Sequence, residues 1–165
     1  PREARLVPLM HEVDSETRAL REKSGVRFVW KIPTGLPPVH TDPAKLKVVL
    51  KNLIGNAVKF TDQGQVTVSA AERNDGVEFS VADTGVGIAP ESLPSIFEPF
   101  RQGDSTITQG RGGVGLGLYI VHRLLDLLGG NITVESTVGR GTTFHVWIPR
   151  APTTIPKPVG DRLVT

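Results

Sequence analysis

Two asparagines and a lysine stand out because they interrupt an otherwise apolar helical pattern. Asn52, Asn56 and Lys59 are four and three residues apart, so at about 100° per residue they share a narrow arc of one helix. The adjoining stripe has the width of a face that packs on a sheet, and it consists of Leu46, Val49, Leu50, Leu53 and Ala57. Amide oxygens beside an ammonium group suit a hard cation and phosphate oxygens. From this helix alone, a polar face that simply meets water explains the pattern equally well.

A carboxylate followed by two glycines marks a second candidate position. Asp83 comes directly after the alternating residues 77–82 and precedes Gly85 and Gly87. Glycines let the backbone approach a flat ligand closely, and a carboxylate accepts hydrogen bonds from an exocyclic amine such as that of adenine. The alternative is an ordinary aspartate-initiated turn at the end of a strand.

A glycine-rich run at residues 110–118 opens an apolar segment that predicts a helix through Leu128. Glycines at a helix start expose N–H groups to an anion, which the helix dipole also favours. Gly110, Gly112 and Gly115 match G-x-G-x-x-G, and Glu135 follows twenty residues after the last of them. The dinucleotide fingerprint also requires a strand running into its first glycine. Residues 104–109 have no strand pattern, which argues against that interpretation.

Composition excludes several classes of protein. The chain has 165 residues, 19 basic and 17 acidic side chains, and no cysteine. No run of five like charges suggests a nucleic-acid arm, and there is neither a disulfide framework nor a thiolate metal site. No apolar stretch approaches about 18 residues and no signal peptide is visible. We therefore expect a cytoplasmic domain, cut from within a longer protein, that binds no nucleic acid.

The order of elements predicts one domain at residues 1–150 and a proline-rich tail or linker at residues 151–165. An apolar repeat at Leu6, Leu9, Met10, Val13, Thr17 and Leu20 predicts the first helix. Asp42 and Pro43 are an N-cap and a first-turn proline for the asparagine-bearing helix, the second of three. Five strands are predicted, at residues 26–32, 65–71, 77–82, 131–135 and 142–148, with a short helix at residues 92–96. Such a set suits two packed layers.

Four motifs, in this order, resemble those of the catalytic ATP-binding domain of bacterial sensor histidine kinases, within the gyrase, chaperone, kinase and mismatch-repair ATPase superfamily. They are NLIGNAVKFT at residues 52–61, DTGVG at 83–87, FEPF at 97–100 and GVGLGL at 113–118. The resemblance extends from about residue 6 to residue 149. It implies an α/β (α+β) two-layer sandwich of the Bergerat type, with a mixed sheet of about five strands and three main helices on one face.

The resemblance also implies a role for individual residues. Asn56 would coordinate Mg²⁺ on ATP, supported by Asn52, while Lys59 contacts phosphate and Asp83 accepts from the adenine amine. Residues 101–111 would form a lid over the nucleotide, and Val114 stands where the family usually has threonine. The other implied nucleotide-binding residues are Phe60, Gly85, Gly87, Arg111, Gly113, Gly115, Leu116, Gly117 and Thr142.

The implied activity is that of a protein histidine kinase: binding of Mg-ATP and donation of its γ-phosphate to a histidine on a separate phosphoacceptor and dimerisation hairpin. A response regulator would be the next partner, the fragment would be monomeric and the parent a homodimer. His11 is not expected to be the acceptor, because Asp14, Ser15 and Glu16 replace the family's basic residue, Thr or Asn, and Pro. An ordinary helix-surface histidine is the expected alternative.

Two other functions fit parts of the pattern. An ATP-hydrolysing clamp of the gyrase or chaperone type would carry glutamate at the position of Asn52, since a carboxylate can act as a general base on water and an amide cannot. A non-enzymatic docking module would keep the fold without the full set of motifs.

Overall fold

A computed structural model describes residues 2–98, 114–150 and 163–164. In these residues the helices are α1 (Leu6–Ser24), α2 (Pro43–Lys59) and α3 (Val114–Leu128), with a 3₁₀ turn at Leu93–Ser95. The strands are β1 (Arg2–Ala4), β2 (Arg27–Lys31), β3 (Val39–Thr41), β4 (Gln65–Arg73), β5 (Gly76–Asp83), β6 (Asn131–Thr137), β7 (Gly141–Pro149) and β8 (Leu163–Val164). The three predicted helices and five predicted strands are all present.

The strands form a mixed sheet in the order β2-β4-β5-β7-β6-β8. Its two end pairs, β2 with β4 and β6 with β8, are parallel, and the pairs between them are antiparallel. The β4–β5 hairpin turns at Asn74 and Asp75, which both have positive φ, as a two-residue hairpin turn requires. The predicted two-layer α/β architecture with a mixed sheet is confirmed.

The core lies between one face of this sheet and the helices. Alternate strand residues such as Val66, Val68 and Phe79 are fully buried, and α2 contributes Leu50 and Leu53 to the same cluster. The alternation of buried and half-exposed positions along β4 and β7 leaves the other face polar. No helix in the described part of the chain has the length and hydropathy needed to cross a membrane.

Some features differ from the sequence-based expectation. Strands β1 and β3 pair in a small separate sheet that no pattern predicted, since each has only three residues. Leu163–Val164, within the predicted tail, pair with β6. Leu20, the last member of the apolar repeat that predicted α1, is 45% exposed, because the repeat extends beyond the buried face of that helix.

Helix α1 runs alongside α2, in the same direction. Lys47 lies 3.0 Å from Glu12 and 2.9 Å from Glu16, and Lys51 lies 2.9 Å from Glu16. These pairs are exposed to solvent, which screens their charges, so each contributes little to stability. They align the two helices, and the buried stripes beneath them supply the stabilisation.

The start of α2 has the predicted cap. Asp42 Oδ1 accepts from the backbone N–H groups of Ala44 and Lys45, at 3.0 and 3.4 Å, and Pro43 follows as the first helical residue. Because the first N–H groups of a helix have no intrahelical acceptor, this side chain determines where α2 begins.

We expect Asp42→Ala to lower the free energy of unfolding by about 1 kcal/mol, the usual value of an N-cap. Asp42→Asn is the matched control, because an amide oxygen can accept the same two N–H groups. Urea unfolding at neutral pH measures both variants. An equal loss for the two would mean that the charge of Asp42, which pairs with Lys45, matters and the cap does not.

Candidate functional site

Asn52, the first member of the polar arc of α2, faces the first turns of α3. Asn52 Nδ2 donates to the carbonyl of Val48 at 2.8 Å, which fixes the orientation of the side chain. Asn52 Oδ1 lies 3.1 Å from the position that a Cβ on Gly117 would occupy. Gly117 therefore lets α3 approach an exposed amide oxygen, and the structure brings together two residues that are distant in the sequence.

Asn56, one turn further along α2, carries an unsatisfied amide. Its Nδ2 is buried and has no hydrogen-bond partner among the described residues. Leaving a buried donor unpaired costs about 1–3 kcal/mol, so this N–H group would gain from a ligand oxygen that accepts its hydrogen bond. Lys59, the third member of the arc, is exposed at the last residue of α2.

Asp83 is the last residue of β5, where it lies between Val66 of β4 and Thr142 of β7. Its Oδ1 accepts from the N–H of Gly85 at 2.9 Å and from that of Thr142 at 3.2 Å. The bond to Gly85 is that of an aspartate-initiated turn, so the turn named as the alternative is present, and it uses only Oδ1. Because both bonds use Oδ1, Oδ2 is the oxygen that a ligand would meet.

The environment of Asp83 disfavours its charged form. Burial raises the pKa of this carboxyl to about 6, and the hydrogen bonds from Gly85 and Thr142 only partly offset that effect by lowering the pKa. A carboxylate held in this way gains from any ligand group that donates a hydrogen bond to it.

The glycines after Asp83 are required by the chain itself. A Cβ on Gly85 would lie 2.0 Å from the carbonyl oxygen of Phe60, and one on Gly87, whose φ is +77°, would lie 2.3 Å from that of Thr137. Real Cβ atoms do not approach so closely, so the turn after β5 can pack against α2 and β6 only with glycine. The room that these glycines would give to a base remains an expectation.

Ser136 is a functional candidate that the sequence analysis missed. Its Oγ accepts from the N–H of Ile88 at 2.7 Å and shares a 2.8 Å hydrogen bond with Thr142 Oγ1. It thus joins the glycine turn to β7 beside Asp83. A serine late in a strand gives no sequence signal, and only the pairing of Ser136 with Thr142 across β6 and β7 reveals it.

The first residue of the phenylalanine motif packs on the core. Phe97 is buried, with ring centroids 6.3 Å from Phe144 of β7 and 5.6 Å from His122 of α3. Phe97 thus packs on the core between β7 and α3, whereas Phe100 lies outside the described residues. Phe60, half-buried at the end of α2, packs on the core, and His11 is exposed on α1 as expected.

The second glycine run is described only in part. Arg111, Gly113 and the predicted lid at residues 101–111 lie outside the described residues. Gly115 and Leu116 are in the first turn of α3, where backbone N–H groups lack an intrahelical acceptor. The predicted helix start at the glycine run is confirmed.

A divalent cation in this site would have to rely on amide oxygens. Within the described ranges, no cluster of three His, Cys, Asp or Glu side chains could hold a metal. The oriented Oδ1 of Asn52 fits an ion that takes its other ligands from phosphate and water, as Mg²⁺ commonly does. The unpaired Nδ2 of Asn56 is a donor, which fits a phosphate or water oxygen beside such an ion.

Comparison with known proteins identifies the family. Residues 41–152 match the family described as histidine kinase-, DNA gyrase B-, and HSP90-like ATPase. The circadian input-output histidine kinase CikA of Synechococcus elongatus is 45% identical over 124 residues, which are 74% of this chain and 16% of that protein. The virulence sensor protein BvgS of Bordetella bronchiseptica is 43% identical over 133 residues, or 77% of this chain and 11% of that protein. The chain thus spans less than a fifth of the length of these relatives.

Solved structures agree with this match. Full-length ShkA in complex with AMPPNP has a TM-score of 0.79 and 35% identity over 94% of this chain and 32% of that one. The catalytic domain of the histidine kinase ThkA, in a nucleotide-free form, has a TM-score of 0.77 and 29% identity over 91% of this chain and 97% of that one. The chain belongs to the histidine kinase-, DNA gyrase B- and HSP90-like ATPase family, as the catalytic ATP-binding domain of a sensor histidine kinase.

Proposed function

We propose that this domain binds Mg-ATP and donates the γ-phosphate to a histidine on a separate helical hairpin of the parent kinase. The observation that carries the proposal is the approach of α3 to Asn52, whose Oδ1 faces Gly117. This contact puts a neutral oxygen ligand beside the glycine-rich start of a helix, and phosphate with its cation binds well at such a place.

At the phosphate end, Asn56 and Asn52 are proposed to hold Mg²⁺ and its waters, with Lys59 on a phosphate oxygen. Amide ligands bring no negative charge, so the ATP phosphates would supply the charge that binds the cation. The N–H groups of Gly113, Gly115 and Leu116 would point toward the phosphates, and Gly117 would keep α3 close to Asn52. Arg111 is proposed as a further phosphate contact.

At the other end, the exocyclic amine of adenine would donate to Asp83 Oδ2. The neighbouring groups support this assignment, since Oδ1 is occupied by two backbone N–H groups and no charged group of the described residues offsets the burial of the carboxyl. Phe60, Gly85, Gly87 and Thr142 would line the base. The AMPPNP in the ShkA structure is consistent with an adenine nucleotide in this fold.

Transfer of a phosphoryl group depends mainly on positioning and on stabilisation of charge, and the proposed site would supply both. The acceptor histidine would come from the parent kinase, as would dimerisation, and the response regulator would receive the phosphate next. His11 is exposed on α1, and the next residue, Glu12, pairs with Lys47 of α2. Both observations support His11 as an ordinary surface histidine.

The alternative of an ATP-hydrolysing clamp depends on Asn52. A carboxylate at that position could take a proton from an attacking water, whereas an amide cannot. We infer that Asn52 suppresses hydrolysis while ATP waits for its protein acceptor. The unsatisfied polar groups of the site argue against a docking module, because a domain with no ligand gains nothing from them.

The first prediction concerns Asp83 and pH. An amine donating to Asp83 favours the ionised carboxylate, so ATP affinity should rise as pH increases from about 5 to 7, through the pKa of about 6. Asp83→Asn keeps an oxygen for the two backbone N–H groups but presents an NH₂ group to the base, and should weaken binding about tenfold or more at pH 7.5. Calorimetric titration of both proteins measures these affinities, and their ratio cancels the protonation of ATP itself. A ratio that does not vary with pH would contradict the assignment.

The ionisation of Asp83 should also change the stability of the domain in the absence of nucleotide. An acid whose pKa is raised on folding stabilises the folded state below its unfolded pKa, near 4, and this contribution is lost as pH rises through about 6. Unfolding of the wild-type domain should become easier over this interval, by roughly 2 kcal/mol relative to Asp83→Asn. A constant difference between the two proteins from pH 4 to 7 would show that Asp83 is not the group responsible.

The second prediction concerns phosphoryl transfer. Incubation with labelled Mg-ATP and the separately expressed hairpin of the parent kinase should give acid-labile label on the hairpin. Asn56→Ala should reduce the initial rate about 10- to 100-fold, the usual loss when a group that supports a bound metal is removed. Gln63→Ala, an exposed loop change, is the control and should match wild type. Label that persists in Asn56→Ala would exclude this site.

The third prediction concerns hydrolysis in the absence of an acceptor. The wild-type domain should turn over ATP slowly, and Asn52→Glu should increase that rate because it introduces a general base, an effect of about 10²-fold where the geometry is good. Asn52→Gln has the same length without the base and should show no increase. Fast turnover by the wild-type domain would instead favour the clamp function.

A further inference from the structure

Thr61, the second residue after α2, carries a buried hydroxyl that the proposed site does not use. Its side chain is 3% exposed, and Oγ1 has no hydrogen-bond partner among the described residues. A serine or threonine hydroxyl in a domain core normally finds an acceptor. The position of Thr61 therefore calls for an explanation other than folding stability.

The side chain of Thr61 lies between two turns. Its Oγ1 lies 2.9 Å from the position of a Cβ on Gly85, and its Cγ2 lies 3.4 Å from the position of a Cβ on Gly64. The hydroxyl oxygen thus lies on the side of the turn that follows Asp83, and the methyl group on the side of the turn that leads into β4. Both turns have glycine where the threonine meets them.

A short series of bonds leads from this contact to the carboxylate. The N–H of Val86 donates to the carbonyl of Phe60 at 3.1 Å, which holds the turn against the end of α2. Within that turn, the N–H of Gly85 donates to Asp83 Oδ1 at 2.9 Å. A displacement of Gly85 by the side chain of Thr61 would change the bond that orients the carboxylate.

We propose that Thr61 is a positioning residue that sets the orientation of the Asp83 carboxylate, and hence the affinity for adenine, through its contact with Gly85. This inference depends on the proposed function for its nucleotide readout. The oxygen is the important atom, because a methyl group in its place is wider and would push Gly85 away from the end of α2. Removal of an unpaired hydroxyl also relieves a cost of folding, so loss of affinity and loss of stability should separate.

The test compares Thr61→Val, which replaces the oxygen by a methyl group, with Thr61→Ser, which keeps it. Thr67→Val, on the open face of β4 where Thr67 accepts from Gln65 Nε2, is the matched control. Thr61→Val should bind ATP about tenfold more weakly, the effect of one disturbed hydrogen bond to a charged group, without a lower unfolding midpoint. Thr61→Ser and Thr67→Val should stay within about twofold of wild type. Wild-type affinity in Thr61→Val would overturn the proposal.

A double-mutant cycle with Asp83→Asn shows whether Thr61 acts through the carboxylate. Thr61→Val should cause little further loss of affinity when Asp83 is already changed, whereas two independent effects would add. Additive losses would reject the indirect role.

A second readout needs no nucleotide. The hydrogen bond from Gly85 lowers the pKa of Asp83, so weakening it in Thr61→Val should raise the pKa of that carboxyl further, as measured by NMR titration of the free domain. An unchanged titration would contradict the inference. If wild type fails to bind ATP while this titration does shift, the proposed function fails and the positioning role of Thr61 stands.

Discussion

The contact between the turn after β5 and the end of α2 is the constraint on which the candidate site depends. Val86 donates to the carbonyl of Phe60, and Gly85 approaches that carbonyl so closely that a Cβ would overlap it. This joins the helix that bears Asn52 and Asn56 to the strand that ends in Asp83. Because α2 is one rigid helix, it sets the distance between the asparagines and the turn after β5. The same helix would therefore set the distance between the groups that bind the phosphates and the group that binds the base of a nucleotide.

The polar groups of this region are poorly satisfied without a ligand. Asn56 Nδ2 and Thr61 Oγ1 are buried without partners among the described residues, and burial raises the pKa of Asp83. Each feature lowers the stability of the free domain, and all three lie close to the junction of α2 with the turn after β5. Groups that cost stability persist where activity requires them. The surrounding core, with Leu50, Leu53 and Phe79 fully buried, provides the stability that allows this.

The sequence predicted the main elements because each has a local cause. Period and capping defined α2, with Asp42 as its cap, and strand alternation with an Asn74-Asp75 turn defined the β4–β5 hairpin. The β1–β3 pair and β8 have no such local signal, since two or three residues cannot show a period. Their pairing depends on what the rest of the chain brings beside them. The exposure of Leu20 also depends on the rest of the chain, because a helical repeat shows which side of a helix is apolar but not which element will cover it.

The site was predictable to the extent that its chemistry lies in motifs. Residue type and spacing alone identify Asn52, Asn56 and Asp83 as candidates. Thr61 and Ser136 are identified only by their positions in the structure, Thr61 beside Gly85 and Ser136 beside Ile88 and Thr142. Sequence alone also did not explain why glycine is needed after Asp83. From sequence, Gly85 suggested space for a flat ligand, but the structure shows that the chain's own backbone already occupies the space beside it. Glycine can therefore be required because the backbone that orients a carboxylate packs closely there, and not only because a ligand needs the space.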